Sequence, residues 1–174
     1  MKFSATLVAV SALVASVAAD YTTVNADINT ISSDITKLNS ALQSTSGTSY
    51  QDAIAIDKLA RQLVSDENKA TSDVKATASF TTSQGQTILN TLNSAYTTVT
   101  ATTKRLIALE PKFKSIGVAS IAHYDISLIA NATKTLGATL VSKAPTTLKS
   151  SASALSSKYN AALTSALAAY ANDN

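Results

Sequence analysis

The chain has 174 residues, with 14 Lys and Arg, 11 Asp and Glu, one His, no Cys and a formal charge of +3. Without Cys there is no disulfide framework, thiolate metal site or cysteine nucleophile, and one His excludes a multi-histidine metal centre within the chain. Apolar residues make up 45% and charged residues 14%, with four Gly and two Pro, so long uninterrupted helices are permitted and disorder driven by charge is not expected.

Met1-Lys2 carries a positive charge, Phe3 to Val17 is apolar apart from scattered Ser and Thr, and Val17-Ala18-Ala19 supplies the small residues of a cleavage site. This order predicts a secretory signal peptide over residues 1–19, cut before Asp20. The apolar run falls short of the ~20 residues that span a bilayer, so no transmembrane anchor is expected. Removal leaves residues 20–174 as the mature domain, and the loss of Lys2 lowers the charge to +2. No Lys/Arg run or basic stripe is present to follow phosphates, which speaks against nucleic acid as a partner. Tyr170-Ala171-Asn172-Asp173-Asn174 has no apolar tail, which speaks against a lipid-linked anchor.

The first helix is read from Val24, Ile28, Ile31, Ile35, Leu38 and Leu42, spaced 4, 3, 4, 3, 4 along one face. Ser44 to Ser49, with Gly47 inside it, reads as a loop. The second pattern, from about Tyr50 to Ala78, has Ala53, Ile56, Ala60, Leu63, Ala70 and Val74 near one face. Asp57, Lys58, Arg61, Asp66, Glu67 and Lys69 are assigned to the others. Ser83 with Gln86 matches a capping box at the start of the third helix. That helix carries Ile88, Leu92, Ala95, Val99, Leu106 and Leu109, and its Thr residues between 97 and 103 make it dependent on tertiary packing. Pro111 is expected to kink or end it, with Gly117 as a left-handed cap. Ile121, Leu128, Ala132, Leu136 and Leu140 mark a fourth helix. Ala144-Pro145 is the next break, with Thr146 or Thr147 as cap. Leu148, Ala152, Leu155, Tyr159, Ala162, Ala166 and Tyr170 mark a fifth helix. The fold expected is all-α, a single-domain antiparallel bundle of five helices.

No chemistry of catalysis stands out. His123 has no nucleophile elbow near it, and a Ser-His-Asp triad using Asp125 has nothing to single it out. The carboxylates Asp52, Asp57, Asp66 and Asp73 sit among Lys58, Arg61, Lys69 and Lys75, as on a solvated helix face. The glycines at 47, 85, 117 and 137 are isolated, so there is no phosphate loop, and no metal or other cofactor is implied. Asn131-Ala132-Thr133 is a sequon, which makes Asn131 a candidate glycosylation site. The inward faces are rich in small residues, which leaves either closely packed helices or an empty interior. Gly137 in the fourth helix reads first as a close helix crossing and second as room for a ligand.

The segment Ile31-Ser32-Ser33-Asp34-Ile35-Thr36-Lys37-Leu38, the Gly-containing loop after it and the long second helix resemble the fungal hydrophobic surface-binding protein A family. That family includes the antigenic cell-wall mannoproteins. Phe113-Lys114-Ser115-Ile116-Gly117, the leucines at 128, 136 and 140, and Ala144-Pro145 extend the resemblance over roughly residues 20 to 171. The resemblance implies a secreted or wall-associated domain that adsorbs to hydrophobic solid surfaces, where a secreted esterase or cutinase is a partner. It also implies fatty-acid binding between the helices, as in the mannoproteins. The candidate apolar interior is Ile31, Ile35, Leu38, Leu63, Ile88, Leu92, Val99, Leu128, Leu136 and Leu155, with a monomer expected. Two routes to apolar partners follow: an enclosed acyl site, or loosening of the helices onto a surface. A structural wall mannoprotein with no specific ligand is the alternative.

Overall fold

The computed structural model describes residues 20–173, and the signal-peptide segment expected over residues 1–19 lies outside the described residues. Among the described residues five α-helices follow in order: α1 (Tyr21–Ser44), α2 (Tyr50–Ala76), α3 (Thr82–Ser115), α4 (Ala119–Lys143) and α5 (Lys149–Ala169). A 3-10 turn, Thr146–Leu148, leads into α5. The all-α bundle expected from the spacing of apolar residues is the fold observed.

The helix ends show how local chemistry sets the boundaries. Asp20 accepts a hydrogen bond from the Thr23 amide at 2.9 Å and so caps α1. The capping box of α3 is Thr81 with Gln84, two residues before the expected Ser83 and Gln86. Both pairs satisfy the same spacing rule. The earlier one is used because Phe80, just before it, is buried and its amide is held by the Lys143 carbonyl at 3.0 Å. Pro111 does not end α3, which runs on to Ser115. The stop comes from Gly117 at φ +76°, with the Val118 amide on the Phe113 carbonyl at 2.9 Å and the Gly117 amide on that of Lys114 at 3.1 Å. This pair of bonds is the Schellman arrangement, and only glycine takes that φ without cost. The caps expected from Thr146 or Thr147 are not used. The Leu148 amide bonds the Pro145 carbonyl at 2.8 Å, so the 3-10 turn itself delivers the chain into α5.

Successive helices run antiparallel, and the helices close into a ring. α1 packs on α2 and α3, α2 on α4, α4 on α5, and α5 on α3. Three of these ring contacts are parallel, as bonds between helices show. Thr102 and Arg105 of α3 donate to Asn39 and Leu42 of α1. Thr133 and Asp125 of α4 meet Glu67 and Arg61 of α2. Tyr159 and Tyr170 donate to the Leu92 and Leu106 carbonyls of α3, both at 2.7 Å. Chain neighbours α2 and α3 therefore are not ring neighbours, and every helix turns its apolar stripe towards a common axis. The core residues Val24, Ile28, Ile31, Leu42, Leu109 and Tyr170 are fully or almost fully buried along that axis.

Candidate functional site

The axis is not filled. Two voids, of about 70 and 40 Å³, lie end to end within the ring, and each is lined by all five helices. The larger runs towards the end where α3 and α5 begin and α4 finishes, with Phe80, Gly85, Ala144 and Leu148 around it. Ala144 and Leu148 are only half-buried, so this lobe approaches the surface there. The smaller lies further along, among Leu38, Leu63, Val99, Leu106 and Ile126. Four residues line both voids: Ile35, Glu67, Thr133 and Tyr159. They form the partition between the lobes.

The partition places Glu67, Thr133 and Tyr159 together in an interior whose other polar lining side chains are Ser156 in the larger void and Thr102 and Thr103 in the smaller. Glu67 is 4% exposed, and its Oε1 accepts a hydrogen bond from the Thr133 hydroxyl at 2.8 Å. Its Oε2 is buried and has no hydrogen-bond partner among the described residues. Burial out of water disfavours the carboxylate and pushes the Glu67 carboxyl up to about 8, against the smaller opposing effect of the Thr133 bond. Glu67 is therefore mostly a neutral acid at pH 7. The Tyr159 hydroxyl donates to the Leu92 carbonyl, and its ring leans on Tyr96 with centroids 5.4 Å apart. Burial holds its ionisation well above the ordinary tyrosine range.

The structure gathers nine of the ten aliphatic residues proposed for the interior around these voids. Ile31, Ile35, Ile88, Leu92, Leu136 and Leu155 line the larger, and Ile35, Leu38, Leu63 and Val99 the smaller. Leu128 lines neither and is half-buried, while Ile121 is 41% exposed. The inward stripe of α4 runs through Ile126, Ile129, Leu136 and Leu140. Leu128 sits one residue, or about 100°, off that line.

Glu67 is the residue that sequence reasoning misplaced, by assigning it, with Asp66 and Lys69, to the faces of α2 other than the apolar one. The signal was present, since Leu63, Glu67, Ala70 and Val74 step 4, 3, 4 on the buried face. Thr133 was read only as the third residue of a sequon. Its side chain points to Glu67, while Asn131 is exposed on α4. Two of the acids read as helix-face groups pair with their helical neighbours: Asp57 with Arg61 at 2.8 Å, and Asp73 with Lys69 at 2.7 Å. Asp125, the triad candidate, faces Arg61 at 3.7 Å. His123 acts electrostatically on Asp173, which pairs with Lys114 at 2.7 Å. A Cβ on Gly137 would collide with the Ser156 hydroxyl and come within 3.2 Å of its Cβ. Gly137 thus serves a close α4–α5 crossing and, at the same point, lines the larger void.

A second apolar feature lies on the outside. Tyr50, Ile54, Ile121 and Tyr124 are each 41–58% exposed, and three of them border an open groove of about 300 Å³ between the starts of α2 and α4. Tyr124 stacks beside the Arg61 guanidinium, 5.9 Å from its ring centroid. No helix among the described residues is long and apolar enough to cross a membrane.

Comparison with known proteins agrees with this architecture. AfMp4p, solved in complex with palmitic acid, superposes with a TM-score of 0.82 at 27% identity, covering 87% of this chain and 99% of that one. Ligand-binding domain 1 of the Penicillium marneffei Mp1 protein, complexed with arachidonic acids, superposes at 0.78 with 15% identity, covering 83% and 94%. Domain 2 of the same protein superposes at 0.77 with 14% identity, covering 86% and 92%. No curated protein sequence matches. The sequence profile described as hydrophobic surface binding protein A (HsbA) matches residues 21–142, and the chain belongs to that family.

Proposed function

We propose that this protein binds a single-chain fatty acid along the axis of its helical ring. The observation that carries the reading is a mostly apolar, incompletely filled axis lined by all five helices, with the Glu67 carboxyl and the Thr133 hydroxyl where the two voids meet. The similarity to AfMp4p, solved with palmitic acid, supports it. Each methylene moved from water into this interior gains about 0.8 kcal/mol, so a long chain offsets the cost of association and ordering. The voids are smaller than a long acyl chain, so binding requires the aliphatic lining to move apart. Native mass spectrometry of the purified protein, followed by lipid extraction, tests whether a fatty acid accompanies it. Ala152→Phe, which fills the larger lobe, is expected to weaken palmitate binding at least tenfold, and Ile107→Ala on the outer surface to leave it unchanged. Equal binding by both variants would refute the axial site.

The exposed face of Tyr50, Ile54, Ile121 and Tyr124 favours a second reading: adsorption to hydrophobic solids by the folded molecule, without opening of the bundle. The double variant Ile54→Ser/Ile121→Ser is expected to adsorb less to polyester or wax films while binding palmitate normally. Undiminished adsorption would favour the opening of helices instead. Recruitment of a secreted polyester or cutin hydrolase to such a film belongs to this reading, and co-sedimentation with film particles tests it. Export with removal of residues 1–19 accords with Asp20 serving as the cap of α1, and N-terminal sequencing of the secreted protein checks it.

A further inference from the structure

We propose that Glu67, held by Thr133, hydrogen-bonds the carboxyl head of the fatty acid at the middle of the ring, with the tail laid along the larger lobe towards Phe80 and Leu148. This rests on the axial-site reading above and deepens it by fixing the ligand's position and polarity. Three observations support it. Glu67, Thr133 and Tyr159 meet at the partition, and Ser156 stands one turn before Tyr159, whereas Phe80, Gly85, Ala144 and Leu148 at the outer end of the larger lobe provide no polar side chain for a head group. In the smaller lobe the Thr102 and Thr103 hydroxyls are taken by the Thr98 and Thr100 carbonyls. Glu67 Oε1 is occupied by Thr133, while Oε2 is buried and unpartnered in a wall that is otherwise mostly apolar. An unpaired buried polar atom is costly, and a ligand oxygen at that place removes the cost. Finally, the distance fits. From Tyr159 back to Lys149, α5 advances about 15 Å. Half of the ~30 Å hydrocarbon core of a bilayer, about one acyl chain, has the same length.

The proton arrangement follows from the surroundings of Glu67. On its own helix, Asp66 interacts with Asp34 of α1, which Lys37 pairs at 2.8 Å. Otherwise α1 presents Ile31 and Ile35 to the voids, and α4 presents Thr133. From α5 comes Tyr159, with its hydroxyl committed to the Leu92 carbonyl. From α3 comes Tyr96 behind it, with Lys158 of α5 on its outer side, 5.9 Å from the ring centroid. Among the described residues no Lys, Arg or His lines either void. A fatty carboxylate entering this site has no cation to meet. It meets a neutral acid whose O–H donates to it, so the two carboxyl groups share one proton and carry a single charge. Losing that proton would place two anions together in a low-dielectric site, and binding must weaken as pH rises.

The test is titration of dodecanoate and dodecane into the wild type, Glu67→Gln and Glu67→Leu between pH 6 and 9. Wild-type affinity for dodecanoate is expected to be about tenfold lower at pH 9 than at pH 7, because only the protonated fraction is competent. Glu67→Gln keeps a donor that does not titrate, and its affinity should stay level over that range. Glu67→Leu should lower the preference for dodecanoate over dodecane at least tenfold, and Thr133→Val should lower it in the same direction by a smaller factor. Dodecanoate binding with the same strength and pH profile in all variants would overturn the anchor while leaving the axial site standing. A wild-type protein that binds neither probe would overturn both.

Discussion

Glu67 also dominates the expected pH dependence of stability. Its carboxyl ionises near 4.3 in the unfolded chain and is pushed up to about 8 by burial in the fold. The sign follows directly. Below about pH 4 both states hold the Glu67 proton and the contribution of this group is fully present, while Asp73 and Asp173, held low by Lys69 and Lys114, lose theirs as pH falls further. Between about 4 and 8 the unfolded chain releases a proton that the native state keeps, so stability falls as pH rises. Asp125 adds to the same trend. Burial, followed by the charge of Asp57, outweighs the attraction of Arg61 and pushes its carboxyl up to about 7. The melting temperature should therefore drop from pH 5 to pH 8, and Glu67→Leu should flatten the profile. At pH 8 the same variant should gain roughly 1–3 kcal/mol in unfolding free energy by removing an unsatisfied buried group. Thermal melts across that range in the absence of ligand check both. An unchanged slope in Glu67→Leu would mean that Glu67 is hydrated and ionised in the native state.

At the scale of the element, the start of α3 separates two readings of the same sequence, Thr81-Thr82-Ser83-Gln84-Gly85-Gln86. Thr81 and Gln84 exchange bonds with each other's backbone amides, at 2.9 and 3.3 Å. Thr81→Ala is expected to cost about 1 kcal/mol, and Ser83→Ala within about 0.5 kcal/mol of nothing. Urea unfolding of the two variants decides it. The end of α1 is tied in another way. Arg105 of α3 donates from Nε to the Leu42 carbonyl at 2.9 Å and from Nη2 to that of Thr45 at 2.5 Å. A cation placed on the last carbonyls of a helix satisfies groups that lack partners within it and complements the negative end of its dipole. This bond joins residues 60 and more apart in the chain, so α1 and α3 are locked in register by a contact that local sequence does not announce.

For the whole molecule, the ring without disulfides holds its stability in aliphatic packing around an axis that is left partly empty. Unfilled space costs contacts that a ligand supplies, and a ligand that binds only the folded ring stabilises it by mass action. At a free concentration a hundred times its dissociation constant, palmitate should add about 2.7 kcal/mol. For a domain of this size that raises the melting temperature by roughly 5–10 °C. Melts with and without palmitate, after delipidation, measure it. A shift that saturates with palmitate and is lost in Ala152→Phe would place the gain on the axis. A shift retained in that variant would place the palmitate elsewhere, with the groove beside Tyr50 and Ile54 as the alternative.

The sequence by itself determined the helices and most of their inward faces. The 4, 3, 4 spacing of Val24 to Leu42 is repeated in the buried residues of α1, and nine of the ten aliphatic candidates line the axis. That much is local physics, because an apolar residue every third or fourth position defines a stripe whichever neighbour covers it. Only the tertiary structure decided the ring order that brings α2 against α4 and α5 against α3. It also decided that two hollows remain along the axis and that Leu128 stands outside them. It placed Glu67 on the buried side of α2, opposite Thr133, whereas the apolar pattern alone left it on another face. A carboxyl group's place depends on what covers it, and the covering helix here lies 66 residues further along the chain. Periodicity describes one helix at a time, whereas the site exists only where five of them meet.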